Sequence, residues 1–565
     1  MRTRTIPTKM THAQDTLFST QQPASIHSPH TQQPRALRLR SPALALALGV
    51  LWGAALAQSA APSAMTAPAK PVFAIRGFDI GGDNPLPASD TTRVLAPFLR
   101  TDATIETLQK ATAALEEVLK ERGYALHRVV LPPQEVGETV RLTIVKFVIG
   151  KVSVEGLQRY DEANIRASLP ELKEGEAPNF KTLAVQTAIA NESQGKQVQV
   201  ALKEAQEADR IDARLVVTEA KPWNFAVSLA NTGSHATGQD RLTLSGSHSN
   251  VLDLDHQFTG AYTTSIQRTS EVQQVGLNYR IPVYRLGAVV GASFTHSKVV
   301  GDFGAFQSTG AGQTAGINYS HYLPPDGGTR SYVTLGLDDK RFDITEISGV
   351  PVPGQALRRS RPLSLGYTVR VESDTAVWGY NAEVAGNLVS GSGNNLSAYQ
   401  SEDARIRTAA FKVLRANANY LSSFAGGWLV GVRAQFQYSP DALISGEQLG
   451  LGGASTVRGT GERPISGDRG LLATLEVTTP DVAPGLRLLA FVDAGWLRNN
   501  NPNGTTKPSS DQLASVGLGL RYNSGALGLS AEWGRVVTGS TLGGTNNAFP
   551  RAGDNKLHFN LTARF

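Results

Sequence analysis

The chain has 565 residues, 56 of them glycine and none cysteine, with a formal charge of +6. Without cysteine there can be no disulfide framework, thiolate nucleophile or Cys-ligated metal. The positive excess lies in Arg2, Arg4, Lys9, Arg35, Arg38 and Arg40 against Asp15, so the rest of the chain is near neutral and offers no basic stripe for nucleic acid.

Arg35, Arg38 and Arg40 precede an apolar run over residues 43–56, and Ala55, Leu56 and Ala57 put small residues where signal peptidase cuts. This predicts a leader over residues 1–57 that exports the chain across the inner membrane. Residues 1–34 are either a long polar n-region or the product of a start codon placed too early. A short Ala/Pro/Ser/Thr linker follows over residues 58–71. No later segment supplies the roughly eighteen unbroken apolar residues of a membrane helix, which excludes a helical membrane protein.

Residues 72–80 alternate as a strand does, and Ile105, Leu108, Ala111, Leu115, Val118 and Leu119 recur at helical spacing before Gly123 as a C-cap. With a helix over 89–99 and strands over 124–131 and 140–148, they predict one β-α-α-β-β unit, residues 72–147. A second unit, residues 148–219, opens on a strand at 149–156. It continues through helices at 161–169 and 180–191 and closes with strands at 196–204 and 212–219. Tandem units predict a jointed arm rather than a single core.

After Lys221 and Pro222 helical spacing ends and alternating segments of about ten residues recur between Gly, Asn, Asp and Ser. Sixteen segments open near Trp223, Arg241, His256, Glu271, Gly287, Gly312, Ser331, Arg361, Thr375, Arg405, Gly427, Arg469, Leu486, Gln512, Ala526 and Lys556. An even number suits an antiparallel transmembrane barrel over residues 220–565 with both ends in the periplasm. In the last segment Leu557, Phe559, Leu561, Ala563 and Phe565 share one face, and His558, Asn560, Thr562 and Arg564 the other. In the thirteenth, Leu488, Ala490, Val492, Ala494 and Trp496 face out, and Leu489, Phe491, Asp493 and Gly495 face in. A soluble β-sandwich or propeller would also alternate, but it has no reason to end on Phe565. Outer-membrane barrels finish on such a lipid-facing aromatic, which the barrel-assembly machinery reads.

Between the eleventh and twelfth segments lies a glycine-rich stretch, residues 449–462, that includes Val457, Arg458, Gly459 and Glu462. Strand count puts this loop on the outer side. Its arginine reaches the inward Asp493 only if the loop folds back down the pore. At these residues the sequence resembles the outer-membrane transporters of two-partner secretion, the haemolysin secretion/activation type, within the barrel-assembly insertase superfamily. Residues 84–87, 131–134, 149–150 and 196–197 look like its two POTRA domains. Val457, Arg458 and Gly459, with Phe491, Asp493 and Gly495, look like its loop and strand motifs. The resemblance implies a lumen partly filled by the loop and held by an Arg458–Asp493 ion pair. It also implies an unfolded adhesin- or haemolysin-type exoprotein as partner, and an address in the outer membrane of a Gram-negative cell with the POTRA domains in the periplasm. Two departures stand out: Thr460 occupies a position that is usually aromatic, and the short linker leaves no room for the plug helix of some members.

No Gly-x-x-x-x-Gly-Lys, His-Glu-x-x-His or Gly-x-Ser-x-Gly run is present, and His235, His248 and His256 lack ligand spacing. No catalytic residue, cofactor or metal is therefore assigned, and the expected partners are the exoprotein, outer-membrane lipid and, during biogenesis, the assembly machinery. Edge-strand pairing along residues 72–219 would recognise the exoprotein. The rival readings are an insertase, which tends to carry three or more POTRA domains, and a diffusion porin, which has no use for an arm.

Overall fold

The computed structural model describes residues 72–565 except 136, 235–236, 300, 304, 309, 345, 348–349, 505–506 and 544–548. The expected leader, the linker over residues 58–71 with the expectation that it holds no plug helix, and His235 lie outside the described residues.

Residues 72–146 form a small α/β lobe: β1 (Gly77–Gly82), α1 (Ala88–Leu95), α2 (Ile105–Glu121), β2 (His127–Val130) and β3 (Thr139–Lys146). β3 is central, parallel to β1 and antiparallel to β2. On α2, Leu108, Ala111, Leu115 and Leu119 are buried against the sheet, and Thr104 with Thr107 makes the capping box at its start. The alternation from Val72 does not produce a strand there. Phe73 makes only a bridge to Ala103, and the Arg76 and Gly77 amides both donate to the Glu138 carbonyl, so pairing begins at Gly77. The early alternation reflects the burial of Ile75 rather than a ladder.

Residues 148–219 repeat the plan with β4 (Val148–Glu155), α3 (Glu162–Ser168), α4 (Phe180–Ala190), β5 (Lys196–Glu204) and β6 (Arg210–Glu219), with β6 central. Asp161 caps α3 and Asn179 caps α4 through their side-chain oxygens. This lobe is bolted to the barrel. Val185 and Ile189 of α4 pack on Val289 and Tyr322, while Arg280 donates to Glu192 at 2.8 Å and the Tyr322 hydroxyl donates to the same carboxylate. Lys196, with its side chain fully buried, donates to Asp255 at 2.6 Å and to Asn164 at 2.7 Å, and Asp255 also accepts from the Tyr284 hydroxyl. Burial pulls the Lys196 ammonium below its usual range against the opposing pull of Asp255.

Sixteen of the remaining strands close into one antiparallel barrel. In order they are Trp223–Ala230, Arg241–Val251, His256–Ser265, Gln273–Val283, Ala288–Ser297, Gly312–Tyr322, Thr329–Phe342 and Pro362–Glu372, then Ala376–Asn387, Lys412–Ser423, Leu429–Tyr438, Arg469–Thr478, Leu486–Arg498, Ser510–Ser524, Leu527–Thr538 and Asn555–Arg564; they are numbered 1 to 16 below. Strand 8 is interrupted at Arg361. The piece Arg358–Ser360 pairs with the end of strand 7, and Pro362, which has no N–H to donate, restarts the ladder. Strand 10 begins at Lys412 rather than near Arg405, because Arg405 is buried in an outer loop, donating to Asp403 and to the Asn500 carbonyl. Strand 16 closes on strand 1 through a short register, Asn560 with Ala230 to Arg564 with Ala226. Phe565 and Phe225 exchange backbone hydrogen bonds at one end of this seam, and the Asn231 side chain bonds the strand 16 backbone at the other.

Parity divides the wall as expected for a spanning barrel, with exposed Leu, Val and aromatic residues outside. Inside, the two halves differ. Strands 1 to 6 contain no Asp, Glu or Lys, and their inward positions are mostly hydroxyls, amides and small residues, with Val289 under α4, and with Arg241 and Arg280 the only charges. Strands 7 to 16 carry the inward carboxylates.

Replacing Lys196 by methionine keeps the side-chain bulk but leaves Asp255 buried without its cation, a loss of about 3–5 kcal/mol. Hydrogen exchange should accelerate across Lys196–Glu204 and the 250–255 turn while strands 12 to 15 keep their protection; unchanged exchange at the joint would show that the pair carries no weight.

Candidate functional site

The connection between strands 11 and 12, residues 439–468, enters the barrel instead of spreading outside it. Its stem is a hairpin, Leu449–Leu451 paired with Ile465–Gly467. Leu451, Ile465 and the fully buried Val457 pack on the inward Leu472, Leu497, Leu513 and Val536 of strands 12 to 15. This apolar contact brings the loop tip onto the inner wall.

At the tip Arg458 is 1% exposed. Its Nε and Nη2 donate to the two oxygens of Asp493 at 2.9 and 2.8 Å, and its backbone N–H donates to Asp493 Oδ2 at 3.0 Å. The remaining Nη1 donates to Glu476 at 3.1 Å and to Glu532 at 2.7 Å. The guanidinium lies over the Phe491 ring, 3.3 Å from its centroid. A planar donor fork can serve a bidentate carboxylate and an aromatic face together, which an ammonium cannot. Arg521 bridges Glu476 and Glu532 from strand 14, so three carboxylates from three strands share two guanidiniums. Desolvated charges in such a cage hold one geometry, because shifting any member leaves another unpaired.

Gly459 has φ +92°, and a Cβ there would stand 2.8 Å from the Gly534 carbonyl. A Cβ on Gly534 would meet the Gly459 nitrogen at 2.7 Å, so two glycines let loop and wall backbones touch. The Gly459 N–H then donates to His558 Nε2 at 3.1 Å, tying the tip to strand 16. Gly495 serves the stem, since a Cβ there would fall 2.6 Å from Leu451.

Other predicted residues serve the loop itself or the seam. Glu462 turns back on its own loop and accepts the Ala454 N–H at 3.0 Å. Thr460 accepts the Gly453 N–H and donates to the Val457 carbonyl, so a hydroxyl stitches the tip together at the position expected to be aromatic. Phe565 lies at the seam, remote in sequence from the loop, with its ring on the outer face. His248 accepts the Asn250 N–H and His256 pairs with Tyr279. The sequence does not single out Glu476, Glu532 or Arg521, and it shows His558 only as a member of one face of the last segment. Each carries a signal, a charged or imidazole side chain at an inward position of a spanning strand.

The stem is secured as firmly as the tip. Glu447, 2% exposed, accepts from Ser360 Oγ at 2.8 Å, Arg415 Nη2 at 2.7 Å and Lys340 Nζ at 3.1 Å. Burial pushes this carboxyl up, but Lys340 and Arg415 prevail and hold it at about 2, so it is ionised at neutral pH. Asp468, at the other end of the loop, accepts the Leu443 and Asn500 amides and the Gln448 side chain.

Residues 210–522 match the family described as haemolysin secretion/activation protein ShlB/FhaC/HecB, and residues 73–146 match the ShlB-type POTRA domain. The outer membrane transporter CdiB of Escherichia coli is 24% identical over 474 residues, 80% of this chain and 77% of its own. The heme/hemopexin transporter protein HuxB of Haemophilus influenzae is 20% identical over 449 residues, 77% of this chain and 78% of its own. The solved structure of CdiB from Escherichia coli shares the fold, with a TM-score of 0.69 at 20% identity, covering 90% of this chain and 93% of that one.

Gly459→Ala should strain the left-handed backbone by about 1–3 kcal/mol and drive a methyl into the Gly534 carbonyl. The tip is expected to lift while the barrel ladder persists, seen as longer open events in single-channel recordings; a trace like that of the parent protein would show that the close approach is dispensable.

Proposed function

Because the chain belongs to the haemolysin secretion/activation family ShlB/FhaC/HecB, outer-membrane transporters that work with a secreted exoprotein, we propose how this one moves its partner. Residues 72–147 and 148–219 act as two POTRA units that capture an unfolded adhesin- or haemolysin-type chain in the periplasm. Open sheet edges suit this task. An extended peptide added to such an edge gains main-chain hydrogen bonds with little demand on its sequence. The partner then threads the lumen and folds outside, which makes the movement one-way. The family is one of transporters, not enzymes, and the site offers positioned charges rather than a nucleophile and base.

The observation that carries the reading is the loop clamped across the throat by Arg458, Asp493, Glu476 and Glu532. In this reading the loop is the throat's movable obstruction, and the ion pair sets its resting position. Asp493, Phe491 and Gly495 form its seat, Val457, Arg458 and Gly459 its tip, and Glu462 keeps the tip folded. Phe565 serves biogenesis, as the lipid-facing end that the assembly machinery engages.

Two outcomes follow. Arg458→Ala and Asp493→Ala should each abolish secretion of the partner while the barrel still inserts and shows heat-modifiable mobility; undiminished secretion by either variant would remove the ion pair from the mechanism. Deleting residues 72–147 should end recognition of the partner, measured by co-purification and by export, and continued export would assign capture to another part of the chain.

A further inference from the structure

The loop carries charge anchors of opposite sign on different parts of the wall. At the tip a cation enters a cage of carboxylates from strands 12, 13 and 15. At the stem an anion, Glu447, enters a cage of donors from strand 7, the Arg358–Ser360 piece of strand 8, and strand 10. The two differ in how much structure surrounds them. Around Glu447 the backbone is itself held: Gln437 of strand 11 donates to the Glu447 carbonyl at 3.0 Å and to the Asp468 carbonyl at 3.3 Å, joining both ends of the loop. Arg463 donates to the Gln448 carbonyl at 2.7 Å across the hairpin. Ala442, Leu443 and Ile444 are buried with Phe342, Tyr399, Ile406 and Phe411 in a separate apolar cluster. Between stem and tip stand Gly452 and Gly453 at φ +102° and +116°, with Gly461 beyond the tip, so the backbone can bend there at low cost.

We propose that Glu447 is a positioning residue, the fixed pivot about which the loop turns. When the Arg458 end leaves Asp493, residues 440–448, Asp468 and the stem hairpin stay attached to the wall, and only the tip between Gly452 and Gly461 swings. The inference rests on the reading of the loop as a movable obstruction. It adds that the loop cannot leave the barrel as a unit, and that its return is guided by an anchor that never lets go. A stem held through the three donors of Glu447 would keep the tip within reach of its seat, so closing would be an intramolecular event at high effective concentration.

The absence of cysteine makes a direct test available, since an introduced thiol is the only one in the chain. Val457→Cys reports the tip and Ala442→Cys the stem, both buried positions. Labelling by a membrane-impermeant maleimide is followed in barrels shown to be inserted by heat-modifiable mobility. With Arg458→Ala, the tip thiol should react at least about tenfold faster while the stem thiol keeps its parent rate. With Glu447→Ala both should react faster, and Glu447→Asp should restore part of the stem's protection. A stem thiol that becomes reactive together with the tip in Arg458→Ala, or one that stays protected in Glu447→Ala, overturns the pivot. Where Glu447→Ala fails to insert, Lys340→Ala and Arg415→Ala remove the donors one at a time, with the same two outcomes. Labelling is read without any partner, so failure here and failure of the secretion reading are separate results.

Discussion

A guanidinium shut away from water beside three carboxylates is the constraint on which the interior of this protein is organised. Arg458 cannot shed its proton to escape burial, so its surroundings must supply the compensation that water would have given. Asp493, Glu476 and Glu532 supply it from three strands, and Phe491 covers the face of the ion. Strand order, inward parity and the depth of the loop must all be right together for those groups to converge. A barrel with its register shifted by one residue would turn Asp493 towards lipid.

The same solution recurs at the other end of the molecule's long axis of strands. Lys196 of the second lobe is buried against Asp255, and Glu192 against Arg280, in the turns and strand ends that join strands 2 to 5. In both places an apolar contact does the docking and a buried charge pair fixes the orientation: Val457 with Arg458 in the loop, Val185 and Ile189 with Glu192 and Lys196 in the lobe. Apolar burial is indifferent to rotation, whereas a paired charge is not. The second lobe is thereby held to the barrel as part of its periplasmic end.

Much of this was readable in the residues. A two-residue period locates spanning strands because lipid and lumen impose opposite demands on alternate positions, and the sixteen segments opened close to where the strands begin, with Arg405 the main displacement. That residue is polar and precedes an apolar run, so pattern alone assigns it to the strand; its burial against Asp403 and the Asn500 carbonyl depends on loops distant in sequence. The strand expected from Val72 failed for the same reason, since alternation records which side chains are buried and not which amides are paired. The Arg458 and Asp493 pairing was reached through parity together with a family resemblance. Glu476, Glu532 and Glu447 were not, because a single carboxylate on the wall or on a loop gains its meaning only from what faces it across the lumen.

One feature of the wall bears on what can pass through it. Around strands 1 to 6 the interior shows hydroxyls, amides and bare backbone at Gly276, Gly291 and Gly316, with Arg241 and Arg280 near opposite rims. Such a lining has no carboxylate to seize a lysine, and its apolar patch at Val289 and Tyr322 is covered by α4. If a chain threads this lumen as proposed, it would meet a nearly level terrain between those two arginines, along which each step resembles the last.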